Sequence, residues 1–151
     1  MSPCTVLFVC TGNTCRSPMA AAAFAHFCRE AGRTDIAIQS AGLHAAAGDA
    51  MSSQARFALW QHGIASPENH TSQPLTRELA ESADRIVVMT RAHAAELTSR
   101  YPHLAPKTQL LLVNPEREVP DPFGGDSETY IHCLAEMLPG LKALAKDLAQ
   151  D

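Results

Sequence analysis

The chain has no apolar stretch approaching the roughly 18 residues that a membrane-spanning helix needs, so no membrane partner is expected. It has no excess of positive charge either. Twelve lysines and arginines stand against 16 aspartates and glutamates, a formal net charge of −4, whereas binders of a phosphate backbone usually carry a basic face. Nucleic acid is therefore not an expected partner. A secretory leader is also missing, because Thr5 to Val9 is too short for its apolar region and no basic start precedes it; a cytoplasmic location is expected. The cysteines Cys4, Cys10, Cys15, Cys28 and Cys133 are odd in number and lack the spacing of a disulfide framework, so reduced thiols are the default. No paired short C-x2-C spacing and no histidine pair on a helix exists to suggest a zinc site; no metal and no other cofactor is expected.

What is present suits an ordinary globular protein. With 151 residues, 46% hydrophobic and 19% charged, residues 1–151 are expected to form a single domain with one buried core. Thr5 to Cys10 reads as a buried strand, and Ser17-Pro18 opens a helix that runs through an alanine-rich segment to about Ala31, where Gly32 ends it. Ile36 to Gln39 is a second strand, leading into Ser40-Ala41-Gly42. Ser52 to His62 has helical spacing, Pro67 to Pro74 is a polar loop, and Thr76 begins a short helix. Arg85 to Met89 is a third strand, Ala92 to Arg100 a helix, Pro102 to Pro106 a loop, and Thr108 to Val113 a fourth strand. Asn114 to Gly125 is turn-rich. Ser127 to Leu148 carries a helical apolar face in which Pro139-Gly140 is expected to place a kink. Strands alternating with helices imply an α/β fold, a parallel sheet covered on both faces, with ligands at the carboxyl ends of its strands.

Cys10 stands at one of those ends, in Phe8-Val-Cys-Thr-Gly-Asn-Thr-Cys-Arg-Ser-Pro18. Three readings compete: a redox pair of cysteines, half of a metal site, or a loop holding an oxyanion over a nucleophilic thiolate. No partner pair of ligands supports the metal, and no G-K-[ST] follows Gly12 as a nucleotide-binding loop would require. A strand-to-helix turn, by contrast, binds phosphate through convergent backbone N–H groups and the positive end of the helix. Thr11, Gly12, Asn13, Thr14, Cys15 and Arg16 would supply amides, and Gly12 and Asn13 tolerate the left-handed angles of such a nest. Arg16 adds a planar fork matched to two phosphoryl oxygens. The helix terminus and the guanidinium favour an ionised Cys10, and Ser17 could donate to its sulfur. A covalent route also needs a proton donor for the leaving group. Asp121, in the stiff Pro120-Asp-Pro-Phe-Gly-Gly125 loop, is the candidate, although aspartate in a turn is common without any such role.

The stretch Val9 to Pro18 together with Asp121-Pro122 resembles the low-molecular-weight protein-tyrosine-phosphatase family, over nearly the whole chain. The resemblance implies a metal-free hydrolase with a three-layer αβα sandwich around a four-stranded parallel sheet. It implies Cys10 as nucleophile, Arg16 as phosphate clamp, Asp121 as general acid and Ser17 as partner of the thiolate. Asn13, Ser40 and His70 match positions that brace the loop. Cys15 matches a second cysteine able to form a reversible disulfide with the nucleophile; packing alone would equally account for it. Phosphorylated proteins are the implied partners, with the enzyme a monomer or weak dimer.

Within that family the chain resembles the bacterial protein-arginine phosphatases, through Cys-Thr-Gly-Asn-Thr-Cys-Arg-Ser-Pro-Met-Ala, Met89-Thr90 and Asp-Pro-Phe-Gly-Gly. Thr14 is the position at issue, because tyrosine-directed relatives commonly carry a larger aliphatic group there. A planar, polar guanidinium suits a small hydroxyl-bearing wall, whereas a phenol gains from apolar contact. Phe123 supplies one aromatic wall in either case, and Gly124 stands where many tyrosine-directed members have a second. A protein-tyrosine phosphatase is thus the alternative. Arsenate reduction on the same scaffold would want extra mid-chain cysteines, and none lies between Cys28 and Cys133. A phospho-ligand binding module without turnover would have no need to keep Cys10, Arg16 and Asp121 together.

Overall fold

The computed structural model describes residues 4–113 and 116–149. Strand β1, Cys4–Cys10, lies inside a four-stranded parallel sheet of order β2-β1-β3-β4, with β2 at Ile36–Gly42, β3 at Arg85–Val88 and β4 at Thr108–Leu110. Its register pairs Cys10 with Gly42 and Val9 with Val88, so the cysteine closes the ladder at the carboxyl edge. Side chains alternate across a strand, and here each alternate set meets its own apolar layer. Val6, Phe8 and Cys10 face helices α1 (Arg16–Glu30), α2 (Ser53–Gln61) and α5 (Ser127–Ala149), through Met19, Phe24, Leu59, Leu134 and Met137. Leu7 and Val9 face helices α3 (Arg77–Ser82) and α4 (Arg91–Arg100), through Ala80 and Leu97. The result is the expected α/β sandwich, helices on both faces of a sheet.

Two expectations need correction. The fourth strand does not run from Thr108 to Val113. It leaves the sheet after Leu110, and Leu112–Val113 (β5) pairs antiparallel with Glu116–Arg117 (β6); Asn114 and Pro115 lie outside the described residues. Leu111 is the hinge, its N–H donating to Val88 O at 2.9 Å. The segment Pro102–Lys107, expected as a loop, is a turn of 3-10 helix. Pro139 and Gly140 both lie within the single helix α5. The proline removes one backbone bond, while packing of the flanking turns against α1 and α2 holds the rest. Gly140 is there for close approach: a Cβ would lie 2.9 Å from Leu111 O and 2.9 Å from Leu112 Cδ2.

Candidate active site

The turn between β1 and α1 is held by one residue. Asn13 is the only non-glycine residue with positive φ among the described residues, at 58°, an angle asparagine adopts more readily than most. Gly12, expected to share this role, does not take a left-handed angle. The reason is the Asn13 side chain, which is fully buried and engages both amide hydrogens and its carbonyl oxygen. Its Nδ2 donates to Ser17 Oγ at 2.8 Å and Ser40 Oγ at 2.9 Å, and its Oδ1 accepts from Gln73 N at 3.0 Å. The His70 Nε2–H donates to Asn13 O at 2.9 Å. Ser40 and His70 therefore stand where the resemblance puts them, while Gln73 is an additional brace. Beneath the turn passes Gly42, where a Cβ would fall 2.5 Å from Thr11 O and 3.1 Å from Asn13 N. Only glycine lets β2 come this close.

These contacts fix the protons around the Cys10 sulfur. Because Ser17 Oγ accepts from Asn13, its own O–H is free to donate to Cys10 Sγ, 2.9 Å away. Asn13 N–H donates to the same sulfur at 3.4 Å. Cys15 precedes α1 as its N-cap and supplies no side-chain cap bond, so the first amides of a 15-residue helix remain unpaired and open to an anion. Arg16 is buried to 4% exposure. Its Nη1 donates to Val119 O at 3.0 Å and its Nη2 to Thr11 Oγ1 at 3.4 Å, and Nη2 lies 3.7 Å from Asp121 Oδ2. Asp121 is half-exposed and turned by a bond from Phe123 N to its Oδ1, 3.1 Å. The loop after β6 is thus tied to the cup through Arg16, from Val119 on the inside and Asp121 at the rim.

Cys10, Thr11, Gly12, Asn13, Thr14, Cys15, Arg16, Asp121 and Phe123 line one cavity of about 390 Å³, with Ser17 behind the sulfur. The same cavity takes in His44, Ala45, Ala46 and Asp49, which the sequence reading missed. A signal existed: the rule that ligands gather at strand carboxyl ends applies to β2 as well as β1. Asp49 is pinned by Ser72, whose N–H donates to Asp49 O at 2.7 Å and whose Oγ accepts from Asp49 N at 2.9 Å. Cys15 Sγ contacts Tyr130 OH at 3.4 Å and Ser52 Oγ at 3.6 Å. Burial, and then the bond with Cys15, push the Tyr130 phenol up to about 12. His93 was missed too. It is buried, lies 2.9 Å from Thr11 Oγ1 through Nε2, and is pushed down to about 4, by burial first and the Arg16 charge second.

A sulfur with two donors aimed at it, under unpaired helix amides and beside a guanidinium fork, can hold a tetrahedral dianion and attack its centre. Comparison with known proteins points the same way. A family profile described as "Low molecular weight phosphotyrosine protein phosphatase" matches residues 5–151. The protein-arginine-phosphatase of Bacillus subtilis (strain 168) is 38% identical over 149 residues, 97% of this chain and 97% of that protein. The low molecular weight protein-tyrosine-phosphatase Etp of Escherichia coli (strain K12) is 30% identical over 97% of this chain and 95% of its own length. A solved structure of YwlE arginine phosphatase, a cysteine-to-serine mutant with phosphorylated active site serine, superimposes with a TM-score of 0.90 at 37% identity, covering 97% of each chain.

Proposed function

Since the chain belongs to the low molecular weight phosphotyrosine protein phosphatase family, and is a cysteine-dependent phosphatase, we propose that it removes phosphoryl groups from arginine side chains of proteins. In this reading Cys10 Sγ attacks phosphorus in line with the leaving nitrogen. The S–P bond forms as the P–N bond breaks, and Asp121 hands its proton to the departing guanidine. Asp121, now a carboxylate, then takes a proton from water, whose oxygen attacks phosphorus and releases Cys10. Throughout, the amides of Thr11 to Arg16 and the Arg16 fork hold the equatorial oxygens, with Ser17 O–H on the sulfur as it leaves. The chain acts as one phosphatase domain in the cytoplasm, as a monomer or weak dimer.

The observation that carries the arginine assignment is the chemistry of the cavity mouth. Asp49 and Asp121 bring carboxylates, Thr14 brings a hydroxyl, and Phe123 is the only phenylalanine, tyrosine or tryptophan among the described lining residues. A guanidinium needs acceptors around its plane; a phenol ring needs apolar walls. Phe123, 79% exposed at the rim, favours the second reading, a protein-tyrosine phosphatase, since it offers a ring to stack on. The two separate in one experiment, in which kcat/KM is measured on matched phosphoarginine and phosphotyrosine peptides, with Cys10→Ser as blank. Phosphoarginine should be preferred, and Thr14→Ile should move the ratio at least tenfold toward phosphotyrosine. A phosphotyrosine preference indifferent to Thr14→Ile would defeat the arginine assignment.

A further inference from the structure

His93 has no place in the mechanism above, yet it is the most constrained histidine near the cup. It sits in the first turn of α4, where Thr90 Oγ1 caps the helix by accepting from His93 N at 3.1 Å. The residue is 6% exposed, its Nε2 lies 2.9 Å from Thr11 Oγ1, and its Nδ1 is buried with no partner among the described residues. The charged groups around it are Arg16 of α1, Asp121 and Glu118 of the loop following β6, and Glu96 of its own helix. Burial outweighs the carboxylates, so the ring is neutral at ordinary pH.

A neutral imidazole carries one N–H, and the geometry decides where. If Nδ1 held it, a buried N–H would have no acceptor, the rarer and costlier kind of orphan. With the proton on Nε2, the ring donates to Thr11 Oγ1 and leaves only an unpaired lone pair behind. Thr11 Oγ1 already accepts from Arg16 Nη2. Both of its lone pairs are then occupied, and its own O–H has nothing in the protein to turn to but the cavity that Thr11 lines.

We propose that His93 is a positioning residue, which fixes the Thr11 hydroxyl as a side-chain hydrogen-bond donor to a non-bridging oxygen of the phosphoryl group undergoing transfer. The same contacts tether Arg16, with Nη1 on Val119 O and Nη2 on Thr11 Oγ1, and they leave its Nε hydrogen uncommitted. A donor placed before the reaction begins stabilises the charge that builds on those oxygens as the sulfur attacks, and does so in kcat more than in KM. The inference rests on the phosphoryl-transfer reading of the cup and on nothing about arginine or tyrosine. With an aryl phosphate as probe, the arginine assignment can fail while this one stands.

The experiment has two arms. In the first, imidazole 15N chemical shifts at neutral pH should show the Nε2–H tautomer at His93; an Nδ1–H tautomer overturns the proposal. In the second, kcat and KM for para-nitrophenyl phosphate are compared in Thr11→Val, His93→Gln and the double variant. Thr11→Val should lower kcat about tenfold or more with KM changed less, as loss of one transition-state donor does. His93→Gln should also lower kcat, and in the double variant it should add less than a factor of two to the Thr11→Val loss. Multiplicative losses, or a Thr11→Val enzyme with full kcat, overturn the proposal. Should His93→Gln fail to fold, the tautomer and the Thr11→Val measurement still decide.

Discussion

Replacing Asn13 with alanine tests the claim that one side chain holds the catalytic turn. Three bonds go at once, the buried ones to Ser17 Oγ and Ser40 Oγ and the part-buried one from Gln73 N. At about 1 kcal/mol net for each bond, the loss is about 3 kcal/mol. Alanine also has to hold the left-handed angle of 58°, which costs a non-glycine residue about 1–2 kcal/mol. The sum is about 4–5 kcal/mol, a large share of the 5–15 kcal/mol that typically holds a domain together. Glycine at the same position loses the same bonds without the strain, but adds about 0.4–1 kcal/mol of freedom to the unfolded chain. The glycine variant should therefore be no less stable than the alanine one, and more stable by up to about 1.6 kcal/mol. Urea unfolding followed by fluorescence gives both values, and the midpoint shift should come with an unchanged m-value. Activity should fall further than stability explains, because Ser17, released from Asn13, no longer has a fixed direction in which to send its proton. An alanine variant destabilised by less than about 1 kcal/mol, or one keeping wild-type kcat on an aryl phosphate, would refute the reasoning.

His93, held down to about 4 in the fold against an ordinary value of 6.5, is protonated in the unfolded chain before it is in the native one. Its stabilising effect is thus complete above pH 6.5 and fades as pH falls toward 4, by at most about 3 kcal/mol; a His93→Gln protein should lose that part of the slope in unfolding midpoints across the range. Asp121→Asn should slow substrates with poor leaving groups about a hundredfold more than para-nitrophenyl phosphate, and equal losses on both would remove it from the role of acid. Gly42→Ala drives a methyl group into Thr11 O and should sharply reduce kcat and phosphate affinity together, measured by inhibition with inorganic phosphate. Burial pushes the Cys28 thiol up to about 11 and the Cys133 thiol up to about 12, so brief iodoacetate treatment at pH 7 should leave both unmodified while labelling Cys10; peptide mapping with either of them labelled first would contradict this.

Much of the fold was legible because its signals are local. The β1 run, the proline near the start of α1 and the glycine that ends it, and the capping threonine before α3 each act within a few residues. The misreadings arose where distant packing decides. Nothing in Thr108 to Val113 says that the strand turns away after Leu110, where Gly140 of α5, from the far end of the chain, comes close to Leu111 O. The proline next to that glycine breaks helices in isolation, but here it sits in a helix whose flanking turns bury Met137 and Leu141.

The site divides along the same line. Cys10 to Ser17 could be read because a phosphate nest is made by consecutive residues, and a strand before and a helix after supply its context. Its braces could not be read from the residues alone. Gln73 contributes a backbone N–H that any residue but proline would supply, and Val119 contributes a carbonyl, so neither bond leaves a chemical signature in the sequence. His93 does leave one, a histidine three residues beyond a threonine that caps a helix, but its meaning depends on α4 beginning beside Thr11, which only the pairing of β3 with β1 brings about. The candidate nucleophile and its cup are thus encoded in one short segment, whereas side chains that hydrogen-bond to that segment lie 27 to 82 positions away, Ser40 and His93 marking the limits. Changes at those distant positions should therefore alter rate while leaving the signature segment intact, and a chain that keeps Cys10 to Pro18 is not for that reason a competent catalyst.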